Sequence, residues 1–167
     1  MKLQKTFSQK LILITLSLCL LSSCRAALAP EYDKAIVQNL TETTSKTLQF
    51  LASVSIGTNA ETFSSRENKY NELIGEFEML KLLARARPLP KNNVTQKINK
   101  ILASKNGPTN TDDYPSAFAF NRIVQNLNKM KATDKKTGLN TTVVQAFKGE
   151  IVIFLDQAVT YESFLKR

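Results

Sequence analysis

Every long segment of this chain repeats its apolar residues at helical spacing, and none alternates apolar and polar residues as a half-buried strand does. That feature restricts the fold to helices packed on helices. The first segment, residues 30–56, carries Ile36, Leu40, Thr43, Thr47, Leu51 and Val54 on one stripe. Pro30 suits a first helical position, Glu31 and Asp33 favour the positive N-terminal end of the helix dipole, and Gly57 supplies a stop. The second helix begins at once, because Thr58-Asn59-Ala60-Glu61 reads as a capping box. Its stripe is Phe63, Tyr70, Leu73, Ile74, Phe77, Leu80 and Ala84, and it ends where Pro88 and Pro90 cannot continue the ladder.

A short helix is expected over residues 94–104, with Val94, Ile98, Ile101 and Leu102 inward and Asn106-Gly107-Pro108 as its stop. A further long helix is expected over 115–132, with Phe118, Ile123, Leu127 and Met130 on one side and Gly138 beyond it. The last covers 141–165, with Asn140 as N-cap and Leu139 against Val144 as a hydrophobic staple. Its inward set is Val144, Phe147, Ile151, Phe154, Leu155, Ala158, Tyr161 and Leu165. The pattern predicts an all-α, antiparallel up-down four-helix bundle with one extra short helix between the second and third long helices. The pentapeptide Ile36-Val37-Gln38-Asn39-Leu40 recurs as Ile123-Val124-Gln125-Asn126-Leu127. A duplicated hairpin explains this, and so does chance convergence of two bundle helices. The neighbouring residues do not align, which favours chance.

The chain opens with Lys2, Lys5 and Lys10, followed by an apolar run over residues 11–21. That run is too short to span a bilayer, which takes roughly 20 apolar residues, and fits the apolar region of an export signal. It closes in Leu21-Ser22-Ser23-Cys24. This tetrad resembles the lipobox of bacterial lipoproteins. The resemblance covers only the first 24 residues, and the remainder resembles no particular family. It implies diacylglyceryl transfer to Cys24, cleavage before it by signal peptidase II, and a mature protein that begins at the lipidated cysteine. Cys19 follows the bulky Leu18 and does not fit. The competing readings are an ordinary secretory cut after Ala27-Leu28-Ala29, where Pro30 is a poor following residue, and an uncleaved anchor or soluble helix. The expected division is a signal peptide over 1–23, a lipidated tether over 24–29 and a helical domain over 30–167. Arg25 occupies the position where an Asp retains some lipoproteins at the inner membrane. The resemblance therefore implies the bacterial envelope, and the periplasmic side of the outer membrane in a Gram-negative cell. The sequons at Asn39, Asn93 and Asn140 read as chance in an Asn- and Thr-rich bacterial chain.

Composition excludes much chemistry. The chain has no His, and its two Cys fall at or before the expected cleavage point. Thiol-His catalysis, zinc ligation and an internal disulfide are therefore not expected of the mature chain. No phosphate-binding glycine loop and no Gly-x-Ser-x-Gly elbow occurs. No enzyme activity, metal or cofactor is expected. The formal net charge of +9 would suggest nucleic acid in a cytosolic protein. Export removes that partner and leaves lipid headgroups, envelope polyanions or an acidic protein surface.

Two groups of residues are candidate functional features. Residues 25–29 reach under roughly 20 Å at about 3.5 Å each, so the start of the first helix is expected to lie near the membrane. Arg25, Arg85, Arg87, Lys91, Lys166 and Arg167 would gather at that end and face anionic headgroups. The plainer reading is that cations belong at helix C-termini. Arg66, Glu67 and Tyr70 on the second helix, with Asp156, Tyr161 and Glu162 on the last, form a candidate polar groove, against the plainer reading of surface ion pairs. The function expected is a lipid-anchored, non-catalytic interaction or accessory module with an envelope protein partner. The alternative is a ligand-binding lipoprotein with a pocket in or beside the bundle.

Overall fold

The structure, a computed structural model, describes residues 29–88 and 114–166. Four long helices are present: α1, Lys34–Ser53; α2, Ser64–Ala86; α3, Pro115–Thr137; and α4, Thr141–Phe164. A 3-10 turn, Ala60–Thr62, precedes α2. The helices form a ring in which α2 packs on α1 and α3, and α4 packs on α3 and α1, with no close backbone approach across either diagonal among the described residues. Neighbours are antiparallel. The end of α2 meets the start of α3, where the Tyr114 hydroxyl donates to the Pro88 carbonyl at 2.7 Å. The described residues thus form an all-α up-down bundle. The short helix expected over 94–104, and with it Leu21, Ser22, Ser23, Cys24, Arg25, Lys91 and Arg167, lies outside the described residues.

Periodicity selects the core. Ile36, Leu40, Thr43, Thr47, Leu51 and Val54 of the first stripe are all buried, as are Tyr70, Leu73, Phe77, Leu80 and Ala84 of the second. Phe50 and Phe63 clasp the Tyr70 ring, Phe50 edge-on with centroids 4.7 Å apart. The Thr47 hydroxyl donates to the Thr43 carbonyl at 2.7 Å, which is how a buried threonine is accommodated on this stripe. Phe118 departs from expectation. It is 46 % exposed, while Phe120 is fully buried. The buried set Ala117, Phe120, Ile123, Val124, Leu127, Met130 and Asp134 is one continuous stripe, and Phe118 is out of phase with it.

The helix ends also differ from the expected ones. Asp33, not Pro30, starts α1. Its carboxylate accepts from the Ala35 and Ile36 amides at 2.8 and 3.3 Å. The turn before α2 is capped by Asn59, which accepts from the Glu61 amide at 3.0 Å, so no Thr58 capping box forms. Thr58 is drawn away to Asp134, as described below. Helix α3 runs on past Ala132 to Thr137, because Gly138 (φ 72°) is the residue that permits the exit. Asn140 caps α4 as expected, accepting from the Val143 amide at 2.9 Å.

The two hairpin turns are built alike and lie against each other. Gly57-Thr58-Asn59 and Gly138-Leu139-Asn140 each place a positive-φ glycine two residues before an Asn cap. The Thr58 amide donates to the Leu139 carbonyl at 2.7 Å, and the Leu139 amide donates to the Thr58 hydroxyl at 2.9 Å. A Cβ on Gly57 would stand 2.7 Å from the Leu139 oxygen, and one on Gly138 2.4 Å from the Thr58 oxygen. Beyond each glycine, buried residues follow at matching seven-residue steps: Phe63, Tyr70, Phe77 and Ala84 in one hairpin, Val144, Ile151, Ala158 and Leu165 in the other. The pentapeptide repeat does not share this frame, since its two copies lie at unequal distances from their glycines.

Candidate functional site

Three features stand out from the packed helices: a polar clamp at each end of the bundle and an apolar face along α4. The clamp at the turn end centres on Asp134, which is fully buried near the end of α3. Arg66 approaches it with two nitrogens, Nε to Oδ2 at 2.9 Å and Nη2 to Oδ1 at 2.8 Å. The Thr58 hydroxyl donates to Oδ1 at 2.5 Å and the Tyr70 hydroxyl to Oδ2 at 3.2 Å. Arg66 spends its remaining donors on the Asn59 and Thr62 carbonyls. Burial alone would raise the Asp134 pKa, but Arg66, Thr58 and Tyr70 outweigh it and hold the carboxyl below its usual range. The same arrangement raises the Tyr70 hydroxyl, first through burial and then through the Asp134 charge. Each carboxylate oxygen already accepts two hydrogen bonds, so Asp134 has no free lone pair with which to take a proton from a substrate. The cluster is a tie between two hairpins.

The opposite end repeats the device with other residues. Arg87 donates to Glu162 through Nη2 at 2.7 Å and Nη1 at 3.0 Å, and to the Ser116 hydroxyl at 3.2 Å. Its guanidinium also lies over the Tyr114 ring, 5.2 Å from the centroid. Glu162 is fully buried and the Arg87 side chain is 8 % exposed. This pair joins α2 to α4 across the α3 start. Nearby, burial pushes the Tyr161 hydroxyl up to about 12 against the opposing pull of Arg87.

These placements redistribute the residues picked out by sequence. Arg66 and Tyr70 belong to the Asp134 clamp, and Glu67 sits at the surface 3.6 Å from Lys131. Glu162 belongs to the other clamp, at the far end of the bundle. The six residues expected to form one polar groove therefore do not converge. Arg87, expected to face lipid, points inward onto Glu162, while Arg85 and Lys166 are exposed. Sequence reasoning passed over Asp134, which lies in the hydrophilic run Asp134-Lys135-Lys136. Its spacing was the available signal, since Ile123, Leu127, Met130 and Asp134 continue one stripe.

The third feature is apolar. Ile153 (64 % exposed), Val152 and Val159 lie on the outer side of α4, and Phe164 is 55 % exposed in its last turn. On α3, the exposed Phe118 sets its ring edge-on to Phe154, and the Arg122 guanidinium lies over the Phe154 ring, 5.5 Å from its centroid. A surface groove of about 600 Å³ lies between the start of α3 and the second half of α4, lined by Pro115, Ile153, Asp156, Gln157, Thr160, Tyr161 and Phe164. A smaller one of about 240 Å³ lies between α1 and α2, with Glu42, Glu76 and Met79 in its wall. There Lys46 is held by Glu76 at 2.6 Å and Glu42 at 3.0 Å, which raises its pKa. Among the described residues no group of three or more potential metal ligands occurs, and no helix is long and apolar enough to cross a membrane. Comparison with protein-family models, with curated proteins and with solved structures finds no match to this chain.

Proposed function

We propose that this chain is a lipid-anchored protein of the bacterial envelope whose bundle serves as a non-catalytic interaction module. The observation that carries this reading is the division of labour between inside and surface. The buried carboxylates, Asp134 and Glu162, are consumed in ties between helices, whereas Ile153 and Phe164 stand exposed in the wall of a shallow groove on α4. An exposed apolar patch of that kind is the usual mark of a docking surface. The anchor rests on Cys24 and the tetrad that precedes it. Palmitate labelling and membrane fractionation test it: the wild-type chain takes label and sediments with membranes, and Cys24→Ser does neither. Label that persists in Cys24→Ser refutes the anchor. A photo-crosslinking residue at Ile153 tests the module in cells, where discrete adducts are expected there and none from the charged position Glu72.

The groove between α3 and α4 favours a second reading, in which a small apolar ligand lies beside the bundle. Its walls mix Ile153, Tyr161 and Phe164 with Asp156 and Thr160, a combination suited to a largely apolar molecule with one polar or cationic end. N-phenylnaphthylamine, a neutral apolar dye, would then fluoresce on binding and lose that signal in Ile153→Glu.

A further inference from the structure

We propose that the outward face of α3 holds an extended, phosphate-bearing polymer along its length. This surface lies apart from the α4 groove and from the lipid anchor, and the inference uses neither. Helix α3 carries Arg122, Lys129, Lys131, Lys135 and Lys136. Its one carboxylate, Asp134, is fully buried and already bound by Arg66. The surface of α3 is therefore cationic, with no anion of its own. Lysines of α1 and α2 are instead met by carboxylates: Lys46 by Glu42 and Glu76, Lys69 by Glu72, and Lys81 by Glu78.

Spacing sharpens the patch into a line. Arg122, Lys129 and Lys136 follow at seven-residue steps, each about 20° round the helix from the last. They span about 21 Å at 1.5 Å per residue. Gln125 and Ala132 lie between them on the same side and are exposed. The ammonium groups of Lys129 and Lys136 meet no acceptor and no carboxylate among the described residues. Arg122 donates to Gln125 at 3.1 Å and otherwise lies over the Phe154 ring.

The flanks and the texture of this line select among anionic partners. Carboxylates border it on both sides. On α2, Glu67 stands 3.6 Å from Lys131, and Glu78 holds Lys81, which reaches Asn121 of α3. On α4, the exposed Glu150 follows Phe147 by three residues and precedes Phe154 by four, which places it on the side that meets α3. A flat anionic lipid surface pressed against α3 would meet these carboxylates as well as the cations. A single chain lying along the line avoids them. Between Arg122 and Lys136 the helix exposes no aromatic residue and no apolar side chain larger than Ala132. It thus lacks the anchor on which a protein interface is built, and the stacking platform that a single-stranded nucleic acid uses. Phe118 lies one turn before the line begins. Isolated cations interspersed with amides suit a hydrophilic polymer with repeating phosphates, which lysine binds as a point charge.

The test titrates the chain from residue 24, carrying Cys24→Ser, with linear inorganic polyphosphate by isothermal titration calorimetry at about 0.15 M salt. Binding that weakens as salt is raised is expected. Lys129→Glu and Lys136→Glu each weaken it about tenfold, because reversal removes an attraction and adds a repulsion. Lys129→Arg retains binding. So does Lys148→Glu, which makes the same charge change on α4. Far-UV circular dichroism melts of these variants match that of the parent chain. With all lysines in place, bound polymer shields Lys129 and Lys136 from acetylation, read by mass spectrometry, and leaves Lys148 reactive. Absence of binding, charge-reversed variants that bind as the parent does, or equal shielding of Lys148 overturns the proposal. So does sedimentation with phosphatidylglycerol vesicles that Lys129→Glu and Lys136→Glu abolish, which assigns the face to lipid. Tighter binding of an oligothymidylate of equal charge overturns it in favour of nucleic acid.

Discussion

Asp134 decides more about this molecule than any other residue. It is a carboxylate with no exposure, held by a guanidinium, two hydroxyls and the geometry of two turns. Removing one member of a buried ion pair costs about 3–5 kcal/mol, because the other is left charged without its partner. The two members are not equivalent. Arg66 is 16 % exposed and keeps the Asn59 and Thr62 carbonyls, whereas Asp134 has no route to water. Arg66→Met is therefore expected near the upper end of that range and Asp134→Asn near or below the lower end, measured by urea unfolding. Equal losses would show that the burial difference is not what matters. The pH dependence follows from the depressed carboxyl. An unfolded Asp titrates near 3.9, so the stabilisation from Asp134 is complete above about pH 4 and is lost as the pH falls through the lower, folded value. The wild-type urea midpoint should drop in that acid window, and Asp134→Asn should lose that part of the drop.

At the scale of the element, the four helices were readable because their cores repeat without interruption. Leu40, Leu73, Leu127 and Ile151 sit where periodicity puts them. The ends were less readable, because a cap depends on what the side chain meets in three dimensions. Thr58 looked like an N-cap, and in the folded chain its hydroxyl is taken by Asp134, far away in sequence. Phe118 was misassigned because an aromatic side chain was given priority over phase, and Asp134 was missed because a charged residue was not admitted to a buried stripe. The glycines separate in the same way. Gly138 has φ 72° and ψ 179°, a region open in practice only to glycine, and its Cβ position is filled by the Thr58 oxygen. Gly138→Ala should cost at least about 1–3 kcal/mol of strain, beyond the displacement of the Thr58 turn. Gly75→Ala meets no neighbour and should gain up to about 1 kcal/mol from helix propensity. Thermal melts of the two variants that move in the same direction would contradict this assignment.

At the scale of the whole molecule, the described residues form a pair of α-hairpins joined side by side, with a polar tie at each end. Arg66 and Arg87 mark the two ties on α2, 21 residues apart, or about 32 Å at 1.5 Å per residue. The candidate site was only partly visible in the sequence for this reason. Arg66, Tyr70, Arg87 and Glu162 were recognisable as unusual polar residues, but helical spacing on one chain segment cannot tell which end of the bundle each one reaches, or which neighbour faces it. The separation has a thermodynamic consequence. Sites farther apart than about 10 Å with no shared partner usually contribute independently, to within about 0.5 kcal/mol. Arg87→Met leaves Glu162 buried without its cation and should destabilise the chain by about 3–5 kcal/mol. Combined with Asp134→Asn, its loss should simply add, provided the protein unfolds as one unit. If each hairpin instead unfolds by itself, the tie at one end would protect only part of the chain, and the double variant would lose less than the sum. Urea unfolding of both singles and the double, followed by native-state hydrogen exchange at α1 and α4, distinguishes these outcomes. Additive losses with uniform exchange across all four helices are expected, because Ile36, Tyr70, Phe120 and Ile151 belong to a single buried cluster that runs through both hairpins.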